Sequence, residues 1–289
     1  MLPQQIVNGL MLGASYALVG VAFTLILGIF DLLNIAIGEV FMLGAFFALV
    51  LVTRGVPLAG ALPIAMVLGG VVSVLIERVA FRPLRAASPV VPLLSSIGCS
   101  MVLQDTAVNV WGSERTQFPA ALRVTSFELG PVLLSTVQLV VLGTAIGLMV
   151  LLHLLIQRTR LGRGMRAVAE SPETASLLGV EAGRVVVATF FISGALAGAA
   201  GVLVALTFSI ISPFIGIEIG LKGVAAMVVG GAGHVYGSML AGPLLGIAEV
   251  LSVAYLGAAY RDAVVYGLLI LVLLVRPSGL LGAHQRPRL

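Results

Sequence analysis

The run Val137-Gln-Leu-Val-Val-Leu-Gly-Thr-Ala-Ile-Gly-Leu-Met-Val-Leu-Leu-His-Leu-Leu-Ile156 contains no Asp, Glu, Lys or Arg. About 20 helical residues cross the roughly 30 Å hydrocarbon core of a bilayer. The run also lacks the period-two alternation of an outer-membrane barrel strand, so it reads as a transmembrane helix. The composition extends that reading to the whole chain. Of 289 residues, 60% are hydrophobic and 10% charged, against about 45–50% and about 25% in soluble domains. The mean hydropathy is +1.16. Disorder is excluded by the same figures, and a disulfide framework by Cys99 being the sole cysteine. Sixteen basic against twelve acidic residues give a net charge of +4. The basic residues sit beside apolar runs, where the bilayer accounts for them and nucleic-acid binding does not.

Candidate spans fall at roughly 6–28, 34–53, 58–77, 90–110, 137–157, 185–208, 215–232, 237–257 and 262–275. The expected fold is an all-α polytopic transmembrane bundle of about 8–9 crossings, with two broken or re-entrant helices, forming a single domain over 1–289. Met1-Leu-Pro-Gln-Gln lacks the basic segment of a signal peptide, so the first apolar stretch is expected to stay as a span. Arg78, Arg82 and Arg85 share one short loop, Arg158, Arg160, Arg163, Arg166 and Arg184 another, and Arg276, Arg286 and Arg288 the tail. The positive-inside rule makes all three cytoplasmic, with the C-terminus inside and the N-terminus outside. The segment 112–135, with Glu114, Arg115, Pro119, Arg123, Glu128 and Pro131, then faces outward as a solvated loop or a docking surface.

The most informative polar stretch is the loop 158–184. Ser171-Pro172 is a strong helix start, because serine accepts from orphan N–H groups and proline at the first helical position loses no hydrogen bond. Glu173 suits the helix dipole, and Gly179 is a natural stop. Ala175, Leu177 and Leu178 give this short helix apolar side chains by which packing would hold it. Two readings fit: a helix on which a soluble motor pushes, or an amphipathic helix at the membrane surface. No P-loop is present, since the sole lysine, Lys222, follows Leu221. Hydrolysis of ATP would therefore belong to a partner.

Ionisable residues at membrane depth cost about 2.5–3.5 kcal/mol each on insertion scales, which makes them functional candidates. They are Glu39, Asp105, Lys222 and Glu249, with Asp31 and Glu218 nearer span ends. The local alternative to a role in a solute path is pairing of Lys222 with Glu218 at i, i+4. Two segments read as broken helices. In the first, Asn34, Gly38 and Glu39 interrupt an apolar run. The second is Gly230-Gly-Ala-Gly-His-Val-Tyr-Gly-Ser238, where Gly230, Gly231, Gly233 and His234 stand together. Unwound backbone within a membrane must be buried in protein or line a wet cavity, and transporters build midplane sites from such breaks. Gly194-x-x-x-Gly198, Ala197-x-x-x-Gly201 and Gly242-x-x-x-Gly246 are close-packing motifs. His153, His234 and His284 are isolated, so no metal site is expected, and no catalytic constellation points to an enzyme.

Four stretches together resemble the LivH-type permease subunits of bacterial ABC importers for branched-chain amino acids. They are Asn8-Gly-Leu-x-x-Gly-x-x-Tyr-Ala-Leu18, Asn34 to Ala45, Arg163-Gly-Met-Arg-Ala-Val-Ala-Glu170 with Ala175-Ser-Leu-Leu-Gly-Val180, and Gly220 to Ser238. The resemblance implies a permease without a cofactor of its own in the bacterial inner membrane. Its implied partners are a second homologous permease, two cytoplasmic ATP-binding subunits that hold ATP and Mg, and a periplasmic substrate-binding protein. Arg166, Glu170, Ser171, Glu173, Ala175, Leu177, Leu178 and Gly179 would couple to the ATPase. Asn34, Gly38, Glu39, Lys222, Gly230, Gly231, Gly233 and His234 would lie along the substrate path. Ile37, where many relatives have histidine, and His234-Val-Tyr depart from the family pattern and leave the substrate open. The rival is an ion-coupled secondary transporter that uses Glu39, Asp105 or Glu249 as a proton relay.

Overall fold

The structure is a computed structural model that describes residues 2–282 except 31, 85–87, 89, 120–124 and 130–131. Expectations on Asp31, Arg85, Arg123, Pro131, His284, Arg286 and Arg288 lie outside the described residues. Its helices are α1 (Leu2–Phe30), α2 (Ile37–Thr53), α3 (Leu58–Ile76), α4 (Val90–Trp111), α5 (Thr136–Arg158), α6 (Arg160–Glu170), α7 (Pro172–Leu177), α8 (Ala182–Phe208), α9 (Ile215–Gly230), α10 (Val235–Tyr255) and α11 (Arg261–Val275). A π turn, Glu77–Phe81, and a 3-10 turn, Arg82–Leu84, prolong α3. Among the described residues, seven helices are long and apolar enough to cross a bilayer, α11 being counted with the 3-10 turn Ala258–Tyr260 that precedes it and α3 with the turns that prolong it. The spans expected at 34–53 and 215–232 are the shorter helices α2 and α9, of 17 and 16 residues. At 1.5 Å per residue each is about 25 Å long, less than the hydrocarbon core.

Glycine decides how these helices meet. In lipid, apolar side chains gain nothing by leaving their surroundings, so helices associate through close packing, which small residues permit. Gly9 and Gly13 of α1 lie on the backbone of α10 at Gly242, Gly246 and Ile247. A Cβ on Gly13 would stand 2.5 Å from the carbonyl oxygen of Gly242. On α8, Gly194 and Gly198 face Gly69 of α3, Gly198 also meets Gly44 of α2, and Gly201 meets the Phe41 backbone. The three close-packing motifs thus pack as their spacing implies. Among the long helices, α1 and α8 are the most buried, whereas α5 and α11 are the most exposed.

The two ends of the bundle differ. At one end, β1 (Thr116–Gln117) pairs with β4 (Ile210–Ile211), and β2 (Ser126–Leu129) forms a hairpin with β3 (Val132–Ser135). Gln4 exchanges hydrogen bonds with the Leu133 backbone, and Gln138 donates to Asn8 at 2.8 Å, which ties α1 to this hairpin end. The expected loop 112–135 is therefore structured in part. The opposite, arginine-rich end holds α6, α7 and the turn after α11. There Gln157 donates to the Tyr236 hydroxyl, while the N–H groups of Leu280 and Leu281 donate to the carbonyls of Val229 and Gly230.

If backbone contact at glycine sets the helix positions, then Gly13→Ala should destabilise the protein by about 1–3 kcal/mol. Gly98→Ala, on α4 where open space surrounds the glycine, should be neutral or slightly stabilising through its better helix propensity. Thermal unfolding of the purified variants in detergent checks both.

Candidate functional site

The first break brings a helix start into the middle of the bundle. After α1 ends, residues 32–34 run without helical or strand structure, and α2 begins at Ile37. Gly38 lies against Gly216 and Gly220 of α9, and Gly223, one turn on, lies against Val19 in the middle of α1. The start of α2 is therefore near mid-depth. Asn34 Oδ1 accepts from the N–H of Ala36, and Ser96 of α4 accepts from the N–H of Ile35. Glu39 stands in the first turn of α2, where the positive end of the helix dipole favours a carboxylate. Its Oε1 accepts from Ser100 at 3.2 Å, and Gly216 leaves room for the carboxylate on its other side. Asn34 Nδ2 and Glu39 Oε2 are buried with no hydrogen-bond partner among the described residues. A buried polar atom without a partner costs free energy and marks a place where a polar guest is favoured. Asn34, Gly38 and Glu39 thus come together, joined by Ser96, Ser100 and Gly216, which sequence reading missed.

Lys222 lies apart from them, in a seam between α9, α10 and α11. It is fully buried and does not pair with Glu218 at i, i+4. Its Nζ is 2.9 Å from Glu249 and 3.0 Å from Asp262, and it sits 5.7 Å from the centre of the Tyr16 ring. Arg261 Nε also bonds Glu249. Glu218 points the other way, half exposed, 3.9 Å from Arg261. The reason is burial: an ammonium withdrawn from water must be paired, and the carboxylates that share its seam come from facing helices. Lys222 consequently presents no surface to a solute in this structure. Asp105 is exposed on α4.

The second break lies at the arginine-rich end rather than at mid-depth. Gly231 and Gly233 adopt positive φ of 112° and 85°, which glycine allows. Gly230 packs on Gly237, and Gly231 packs on Ser278 and Gly282 beyond α11. His234 is exposed at the start of α10.

The loop 158–184 folds into two capped helices, α6 and α7. Thr159 caps α6, and Ser171 caps α7 by accepting from the Thr174 N–H at 3.2 Å. Glu173 is exposed in the first turn. Gly179, at φ 81°, ends α7, with its N–H bonded to Ser176 and that of Val180 to Ala175. Arg166 donates to the carbonyl of Ile156 at 2.7 Å, pinning α6 to the end of α5. Glu170 is the last residue of α6, one before Ser171. Met165, Val168, Ala175 and Val185 form a small apolar core. Of the expected packing residues on α7, only Ala175 is buried. Leu177 is 86% and Leu178 77% exposed. On a helix Leu177 stands about 200° round from Ala175, so the two cannot share a buried face.

A polytopic helical membrane protein with buried polar groups at the start of α2 that lack partners among the described residues, and a capped loop exposing two leucines at one end, has the build of a transport subunit. The chain belongs to the family described as the permease component of branched-chain amino acid transport systems, whose model matches residues 5–273. It is 38% identical to the high-affinity branched-chain amino acid transport permease BraD of Pseudomonas aeruginosa, over 98% of this chain and 96% of that one. It is equally identical to LivH of Escherichia coli, over the same shares. A probable LivH of Methanocaldococcus jannaschii is 30% identical, covering 88% of this chain and 84% of its own. No solved structure matches.

Burial ranks the charges of the seam. Glu249→Leu, which leaves the buried Lys222 with Asp262 alone, should cost about 3–5 kcal/mol. Asp262→Asn, at a carboxylate 59% exposed, should cost at most about 1 kcal/mol. Unfolding midpoints in detergent separate the two.

Proposed function

We propose that this chain is the membrane permease of an ATP-driven importer that carries branched-chain amino acids, or small solutes like them, across the bacterial inner membrane. The arginine-rich end faces the cytoplasm, in keeping with the positive-inside rule, so the C-terminus is inside and the hairpin end faces the periplasm. With α2 and α9 counted beside the seven long helices, the crossings number nine. The partners are a second homologous permease, two cytoplasmic ATP-binding subunits that hold ATP and Mg, and a periplasmic substrate-binding protein.

The observation that carries this reading is the pair Leu177 and Leu178, 86% and 77% exposed on a capped loop whose other large apolar side chains, Leu161, Met165, Val168 and Val180, are buried or half-buried. Two adjacent exposed leucines at the arginine-rich end form an apolar patch of the kind that docks against a partner. Closure of the ATPases would push on α7, and Ala175 and Val185 carry the push into α8. From α8 it reaches α2, because Gly201 rests on the Phe41 backbone. Movement of α2 changes access to Asn34 and Glu39, whose atoms Nδ2 and Oε2, without partners among the described residues, offer the solute its polar contacts at mid-depth. Alternating access is then a rocking of α8 and α2 about the seam of α1 and α10.

Replacing Leu177 and Leu178 together by aspartate removes the docking contact without touching the fold, since exposed side chains change stability by about 0.5 kcal/mol or less. Uptake of labelled leucine by cells should fall by at least about tenfold, as loss of a central apolar contact of about 2 kcal/mol requires, with the chain at its normal level in the membrane. Undiminished uptake would refute the coupling role.

A further inference from the structure

At the hairpin end a pocket of about 440 Å³ opens where α9 and α11 begin and the link after α8 passes the segment after α4. Small-molecule pockets run from about 300 to 1,000 Å³. Its walls carry Phe208, Phe214 and Ile215, and its charged groups are Glu218, Arg261 and Arg115. Arg261 is anchored: Nε bonds the buried Glu249, and the guanidinium lies 6.0 Å from the Phe208 ring centre. Its contact with Glu218, at 3.9 Å, is too long for a hydrogen bond, so the half-exposed Glu218 carboxylate keeps its acceptor capacity. Arg115, exposed on the same pocket, has no ion-pair partner among the described residues. With Arg261 hydrogen-bonded to Glu249 and only 3.9 Å from Glu218, the pocket offers a carboxylate that can still accept hydrogen bonds and the Arg115 guanidinium beside an apolar wall.

We propose that this pocket is the periplasmic capture site for a free α-amino acid with an apolar side chain, a reading that rests on the transport function above. The solute's ammonium pairs with Glu218, and its carboxylate takes the two-pronged guanidinium of Arg115 with Arg261 beside it. Its aliphatic side chain lies against Phe208, Phe214 and Ile215. A zwitterion gives hydrogen-bond partners to both the Glu218 carboxylate and the Arg115 guanidinium, whereas an amine or a carboxylic acid alone serves one of them, which is the basis of discrimination.

The test uses membrane vesicles that carry the whole transporter but no binding protein, photolabelled with a diazirine analogue of leucine. The label should land within residues 208–219 and be displaced by leucine, but not by 4-methylpentanoic acid or 3-methylbutylamine, which each keep one of its charges. Glu218→Gln and Arg115→Gln should each lower labelling about tenfold, the effect of losing one charge-assisted hydrogen bond. Glu218→Asp, which keeps the charge, should retain labelling and shows that the fold is intact. With the binding protein restored, the velocity of leucine uptake should fall in both Gln variants. Labelling and uptake in both at the wild-type level, or displacement by either singly charged analogue, overturns the capture site and leaves the transport function standing. A wild-type transporter that takes up no amino acid overturns both.

Discussion

Backbone-to-backbone contact at glycine is the constraint on which the rest of this structure depends. In water a helix is held by withdrawing its apolar face from solvent, but in lipid that gain vanishes and close contact must replace it. Gly9 and Gly13 against Gly242 and Gly246 bring α1 onto α10, while Gly194, Gly198 and Gly201 bring α2 and α3 onto α8. The same economy of side chains lets Gly38 lie on Gly216 and Gly220, which allows α2 to start inside the bundle. Without these contacts there would be no mid-depth site for Asn34 and Glu39 to occupy.

Electrostatics divides the charged residues by task. Lys222, Glu249, Asp262 and Arg261 neutralise one another in a seam that clamps α9, α10 and α11 together. Buried ion pairs of this kind add little stability over an apolar core, yet they are costly to break, so they fix which helices are neighbours. Glu39, Glu218 and Arg115 are different. Glu39 keeps one oxygen without a partner among the described residues, Glu218 has only the long contact with Arg261, and Arg115 and Glu218 line the pocket at the hairpin end.

Much of this was legible in the sequence because the bilayer imposes strong rules on composition. Span positions follow from run length, and the ends of α7 follow from Ser171, Pro172 and Gly179, whose capping preferences are local. Both breaks were visible as polar or glycine-rich interruptions. Their depths were not, since depth is set by which helix packs where. Asn34 to Glu39 lies inside, whereas Gly231 to His234 lies at the arginine-rich end beneath the turn after α11. The partners of Lys222 were hidden for the same reason: Glu249 is 27 residues away, and a local pair with Glu218 was the nearer inference. Arg261 and Asp262 stand just before an apolar run and read as ordinary helix-flanking charges, although one anchors Glu249 and the other Lys222. The outward turn of Leu177 and Leu178 follows from helix geometry once Ala175 is known to be the buried residue.

The central claim is that this chain is moved by a motor it does not contain. The most direct test is to purify it from its native membrane in mild detergent and identify by mass spectrometry every protein that remains bound. The account predicts P-loop ATPases and a second, homologous permease in the same complex. Recovery of this chain alone, still able to drive uptake from an ion gradient after reconstitution, would contradict it.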